Sequence, residues 1–82
     1  MLLAALPTER GSCRVIGLDC VRAGGVLRVG LLLCDGAIPA QDAPARFFDA
    51  DNKETLLTVR LPELQDAMYE AVELEIVNAS NP

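Results

Sequence analysis

Two consecutive glycines, Gly24 and Gly25, separate two apolar runs in the first half of the chain. A two-residue Gly-Gly connection is a strong local hairpin signal, because its tight turn needs positive φ, which glycine adopts without strain. The hairpin predicted from Arg14 to Asp35 sets Ala23 opposite Val26, so Ile16 faces Leu33, Leu18 faces Leu31 and Cys20 faces Val29 on one dry side. Arg14 opposite Asp35 closes its outer end with opposite charges. The reverse side is mixed: Val15 pairs Cys34, Gly17 pairs Leu32, Asp19 pairs Gly30 and Val21 pairs Arg28. Glycine inside a strand marks a bend or a close backbone approach, which is the expected role of Gly17 and Gly30. Val15, Val21, Leu32 and Cys34 are too apolar for open water, so the second hairpin or a partner must cover them.

Asp35-Gly36 stops the strand, and Ala37 to Ala45, with Pro39 and Pro44, reads as a surface loop. A second hairpin follows, with Arg46 to Phe48 outgoing, residues 49–53 turning and Glu54 to Leu61 returning. Leu57, Val59 and Leu61 share one face of it. Pro62 suits a first helical turn, and Leu64, Ala67, Met68 and Ala71 then fall at helical spacing, with Glu63, Asp66 and Glu70 opposite. Val72, Leu74 and Ile76 alternate with Glu73, Glu75 and Val77, the period of a strand with one solvated face. Residues 78–82 read as a flexible tail.

The fold class expected is α+β, predominantly antiparallel β: two hairpins, one short helix and a C-terminal strand in a small barrel or sandwich. At 82 residues the chain forms a single domain, 1–82, whose residues 1–7 fold back as an edge strand or extend as a docking arm. A domain this small buries only about 60% of the surface its unfolded chain exposes. With 51% apolar residues, some apolar surface is left for a partner or for self-association.

Charge is uneven. Residues 1–40 carry Arg10, Arg14, Arg22 and Arg28 against Glu9, Asp19 and Asp35, net +1, whereas residues 41–82 carry nine acids against Arg46, Lys53 and Arg60, net −6, which sum to −5. That balance argues against direct nucleic-acid binding, which needs cations facing phosphates. Cys13, Cys20 and Cys34 lack zinc-ligand spacing and there is no histidine, so they read as reduced, buried thiols, with Cys13 the one expected near the surface. Met1 to Pro7 is apolar but short and has no basic leader, and no apolar run reaches membrane-spanning length. The expected setting is the cytoplasm, a reducing compartment, or an assembled virion. No membrane contact and no small-molecule substrate is implied.

Asp49-Ala50-Asp51-Asn52-Lys53-Glu54 begins like a calcium loop. However, Glu54 stands where the turn needs glycine and Arg60 where a bidentate carboxylate belongs, so it reads as a polar turn. Ser12 and Ser80 lack a nucleophile-elbow context, and Gly24-Gly25 lacks the Lys and helix of a phosphate loop. No catalytic residue, cofactor site or metal site is assigned, and the chain reads as a non-enzyme. Two surface signals remain. Leu2, Leu3 and Leu6 are candidate docking residues of an arm that adds to a neighbour's sheet or groove. Glu63, Asp66, Glu70 and Glu73 are candidate contacts of an acidic face, for no Lys or Arg interrupts it after Arg60. The role expected is a non-enzymatic structural or interaction protein, a small subunit of a larger assembly such as a phage virion or multi-subunit complex. The alternative is an acidic inhibitory binding protein, nucleic-acid-mimicking like phage-encoded defence inhibitors, acting on a nucleic-acid-handling enzyme.

Overall fold

The computed structural model describes residues 2–3, 5–8, 10–17, 20–48 and 51–80, with backbone alone at 2, 3, 79 and 80. Its strands are β1 (Leu2–Leu3), β2 (Leu6–Pro7), β3 (Ser12–Val15), β4 (Val21–Ala23), β5 (Val26–Asp35), β6 (Gln41–Phe48), β7 (Glu54–Leu61) and β8 (Ala67–Ser80). All pair antiparallel in one sheet of order β1-β6-β7-β8-β5-β3-β2, with β4 beside β5. The two ends of that order, β1 and β2, are parts of one short segment. Leu2 and Leu3 pair with Phe48 and Phe47 on one edge, and Leu6 and Pro7 with Cys13 and Ser12 on the other. The N-terminal segment therefore lies across the seam and nearly closes the sheet into a small barrel, which removes most of its open edges.

The second hairpin is as expected in pairing Phe48 with Glu54 and in the face shared by Leu57, Val59 and Leu61, which are all buried. Its outgoing strand starts earlier than expected, at Gln41. Ala43, Ala45 and Phe47 point inward while Asp42, Pro44 and Arg46 stay exposed, an alternation that makes 41–45 a strand, not a loop. Small Ala43 and Ala45 stand opposite Val59 and Leu57, so large and small side chains share the narrow interior.

No described residue is helical, so the fold is a β-barrel and not α+β. Where a helix was expected after Pro62, Leu64 instead exchanges two backbone hydrogen bonds of 2.8 Å with Ile38, and both side chains are buried across one barrel end. The Tyr69 hydroxyl accepts the Gln65 N–H at 2.6 Å, holding the connector that leads into β8. From Ala67 onward the chain pairs along β5, with Cys34, Leu33, Leu32 and Leu31 opposite Ala67, Met68, Tyr69 and Glu70. Burial of an apolar strand partner outweighs the helix propensity of Ala, Leu and Met. The strand expected over Val72 to Val77 is present, with Leu74 inside and Glu73 and Glu75 outside. It continues to Ser80, so residues 78–80 are paired with β7 and are not a free tail.

The first hairpin departs from its expected register. Near the turn the pairing is as expected, with Ala23 opposite Val26 and Val21 opposite Arg28. Beyond residues 16–20 it moves by two, so Arg14 faces Leu33, not Asp35, and Ser12 faces Asp35. Leu18 and Asp19 lie outside the described residues. β5 also changes faces: Leu27 and Val29 point inward, Gly30 and Leu31 follow one another on the outer side, and Leu32 and Cys34 are again buried. β8 does the same opposite, at Glu70 and Ala71, with Ala71 at φ 55°. Ile16, Leu31 and Leu33 consequently stand outside or half-buried, while Val15, Leu32 and Cys34 are in the core, the reverse of the expected faces in this half. The cause is curvature: two adjacent strands bend together at Gly30 and Ala71 to let the sheet close. Gly17 supplies the close approach, since a Cβ there would lie 2.4 Å from the Leu31 nitrogen.

Candidate functional site

The face reversal creates the most distinctive outer surface of the barrel. On the wall formed by β3, β5 and β8, Arg14, Leu33 and Met68 form one cross-strand row. The next row is Ile16, Leu31 and Glu70, tied by the Ile16 N–H donating to the Leu31 carbonyl at 3.1 Å. Four apolar side chains thus occupy the middle, with Ile16 41% and Met68 56% exposed and Leu31 and Leu33 half-buried. Arg14 and Glu70 sit at diagonally opposite corners, both exposed, and neither forms an ion pair with a described residue. Adjoining the second row is a shallow depression of about 680 Å³ over the Gly30–Ala71 bend, edged by Val21, Ala23 and Glu70. Val21 is 51% exposed there.

The acidic residues are less of a unit than their spacing implied. Without the helix, Glu63 and Asp66 belong to the connector before β8, and Glu70 and Glu73 to β8 itself. Glu73 lies 3.2 Å from Arg28 on β5, and Glu75 3.7 Å from Arg60 on β7. Cross-strand arginines, invisible to a scan of the C-terminal segment alone, neutralise part of the face. Asp49 and Ala50 of the polar turn lie outside the described residues.

Of the candidate docking leucines, Leu6 is fully buried in this chain's own core, so a partner cannot reach it without opening the seam. Leu2 and Leu3 have their backbone committed to β6, and their side chains lie outside the described residues. Cys13, expected near the surface, is fully buried, as are Cys34 and, at 2% exposure, Cys20. Burial, a hydrogen bond to Cys34 and nearby negative charge push the Cys13 thiol up to about 12, and burial likewise raises Cys34. Neither is an activated nucleophile in the closed barrel.

No family model, no curated protein and no solved structure matches the chain.

Proposed function

We propose that this barrel is a non-enzymatic assembly subunit that docks through the β3–β5–β8 wall, and that the fitting occupant is a second copy of the chain. One observation carries the reading: an apolar centre, exposed at Ile16 and Met68 and half-buried at Leu31 and Leu33, flanked at diagonal corners by Arg14 and Glu70, which form no ion pair with a described residue. A two-fold axis lying in the contact plane between those corners sets Arg14 of each copy against Glu70 of the other. Met68 and Ile16 meet their own counterparts on the axis. Such an isologous patch is self-complementary. A stable contact buries roughly 800 Å² per partner, so it extends from the four apolar residues over the adjoining depression.

Charge swapping tests this. The wild-type chain is expected to elute as a dimer in size-exclusion chromatography with light scattering, Glu70→Arg to dissociate it, and the double change Arg14→Glu with Glu70→Arg to restore it. A wild-type monomer at the highest soluble concentration, or a Glu70→Arg variant with unchanged mass, overturns the reading.

A further inference from the structure

Cys13 and Cys34 face each other directly across β3 and β5 and are both fully buried. The kind of pair they form follows from the ladder. Hydrogen-bonded and non-hydrogen-bonded positions alternate along antiparallel strands. The Ile16 N–H donates to the Leu31 carbonyl, which makes that pair bonded and, stepping outward by one each time, Cys13–Cys34 non-bonded. The other side of β3 agrees. The Thr8 N–H donates to the Gly11 carbonyl, so Pro7–Ser12 is non-bonded, as proline's missing N–H requires, and Leu6–Cys13 is bonded. The backbone groups of Cys13 thus point towards β2, and its pair with Cys34 is of the close kind. Non-bonded pairs bring Cα atoms to about 4.5 Å, within the roughly 4.4–6.8 Å span of disulfides.

We infer that Cys13 and Cys34 constitute a latent cross-strand disulfide site, oxidised by a small-molecule disulfide of the glutathione type while the chain refolds and before the barrel closes over both thiols. Leu6 lies beside Cys13 in the sheet and is buried with it in the closed barrel. In the reaction the thiolate of one cysteine attacks a sulfur of the oxidised reagent, forming a mixed disulfide and expelling one reagent thiolate. The second cysteine's thiolate then attacks the protein sulfur of that mixed disulfide and expels the other. Two protons leave the protein, two electrons pass to the reagent, and one disulfide has become two small thiols. Cys20 takes no part; its thiol is directed to the Gly17 carbonyl at 3.7 Å. The product would staple β3 to β5, the two strands that carry Arg14 and Leu33 on their outer side.

The test is refolding of the full chain in glutathione redox buffers, followed by acid quench, alkylation and mass mapping. At equilibrium under oxidising buffer the folded fraction is expected to hold the Cys13–Cys34 bond in nearly all molecules, with Cys20 alkylated. Closing a loop of about 22 residues is expected to lower the unfolding equilibrium constant by roughly two orders of magnitude in wild type and in Cys20→Ser, but not in Cys13→Ser. A folded fraction in which the three possible pairings occur equally overturns the inference. So does one that carries only mixed adducts, or whose oxidised form unfolds at lower denaturant than its reduced form.

Discussion

Replacing Leu6 by alanine probes the closure of the barrel, because Leu6 is the one described N-terminal side chain that is fully buried, and its strand pairs with β3 at the far end of the sheet from β1. Deleting a buried leucine's outer carbons costs its transfer free energy plus the cavity left behind, about 3 kcal/mol where the surroundings cannot collapse. A terminal segment has a second option, since it can peel away, and the loss is then capped by what the segment itself contributes. An 82-residue domain has a total stability of about 4–12 kcal/mol, so a loss of about 2–3 kcal/mol is a large fraction of it. Urea unfolding of Leu6→Ala, with Pro7→Ala as a control, reads the effect. Pro7 is exposed and sits at a non-bonded position, so its replacement is expected to move the midpoint little. Native-state hydrogen exchange adds the location: amides of β3 facing β2 should lose protection together with those of Leu2, Leu3 and Leu6. If Leu6→Ala costs less than about 0.5 kcal/mol and leaves β3 protected, the segment is no stave of the barrel, and a docking arm becomes the better account of Leu2, Leu3 and Leu6.

Gly17→Ala should destabilise by about 1–3 kcal/mol in thermal unfolding, since its Cβ would meet backbone atoms of Leu31 and Gly30 at 2.4 and 3.0 Å and backbone cannot yield as a side chain can. Gly24→Ala should cost about 1 kcal/mol from its φ of 62° alone, having open space around it, and Gly25→Ala clearly less. The Cys13 thiol is held protonated up to about 12 in the folded chain against an ordinary 9.0, so the native state binds that proton more tightly. Its contribution is complete below pH 9.0 and falls by about 1.4 kcal/mol per pH unit above it. Urea midpoints taken in reducing buffer at about pH 8 and about pH 10.5 should therefore drop more in wild type than in Cys13→Val.

The parts of this fold that were legible in the sequence are those set by neighbours a few residues away. The Gly24–Gly25 turn, the buried face of Leu57, Val59 and Leu61, and the alternation from Val72 to Ile76 each follow from turn chemistry or period-two burial within one strand. What escaped depends on partners far along the chain. Gln41 to Ala45 carries a proline and weak strand formers, and it is a strand because β7 supplies a complete ladder opposite. Leu64 to Ala71 has helical spacing, yet Ile38 and β5 claim its backbone. The reversal at Gly30 has a local mark, the glycine itself. Its counterpart at Ala71 has none, because alanine at positive φ is imposed by the strand beside it.

That reversal also governs the candidate site. The run Leu31-Leu32-Leu33-Cys34 is apolar on both sides, so no register could hide all of it in a one-layer barrel wall. With Gly30 and Leu31 both turned outward, Leu32 and Cys34 fill the core, and Leu33 joins Leu31 on the surface. The step of two in the β3 pairing preserves parity, so Val15 and Cys13 follow inward and Ile16 outward. One bend therefore does two things. It brings Cys13 and Cys34 together in the interior, and it gathers Ile16, Leu31, Leu33 and Met68 outside between Arg14 and Glu70. A fold needing only closure gains nothing from apolar residues at Leu33 and Met68, where a polar side chain would fit the outer wall as well. Their exposure is the reason to look for a second surface that covers them.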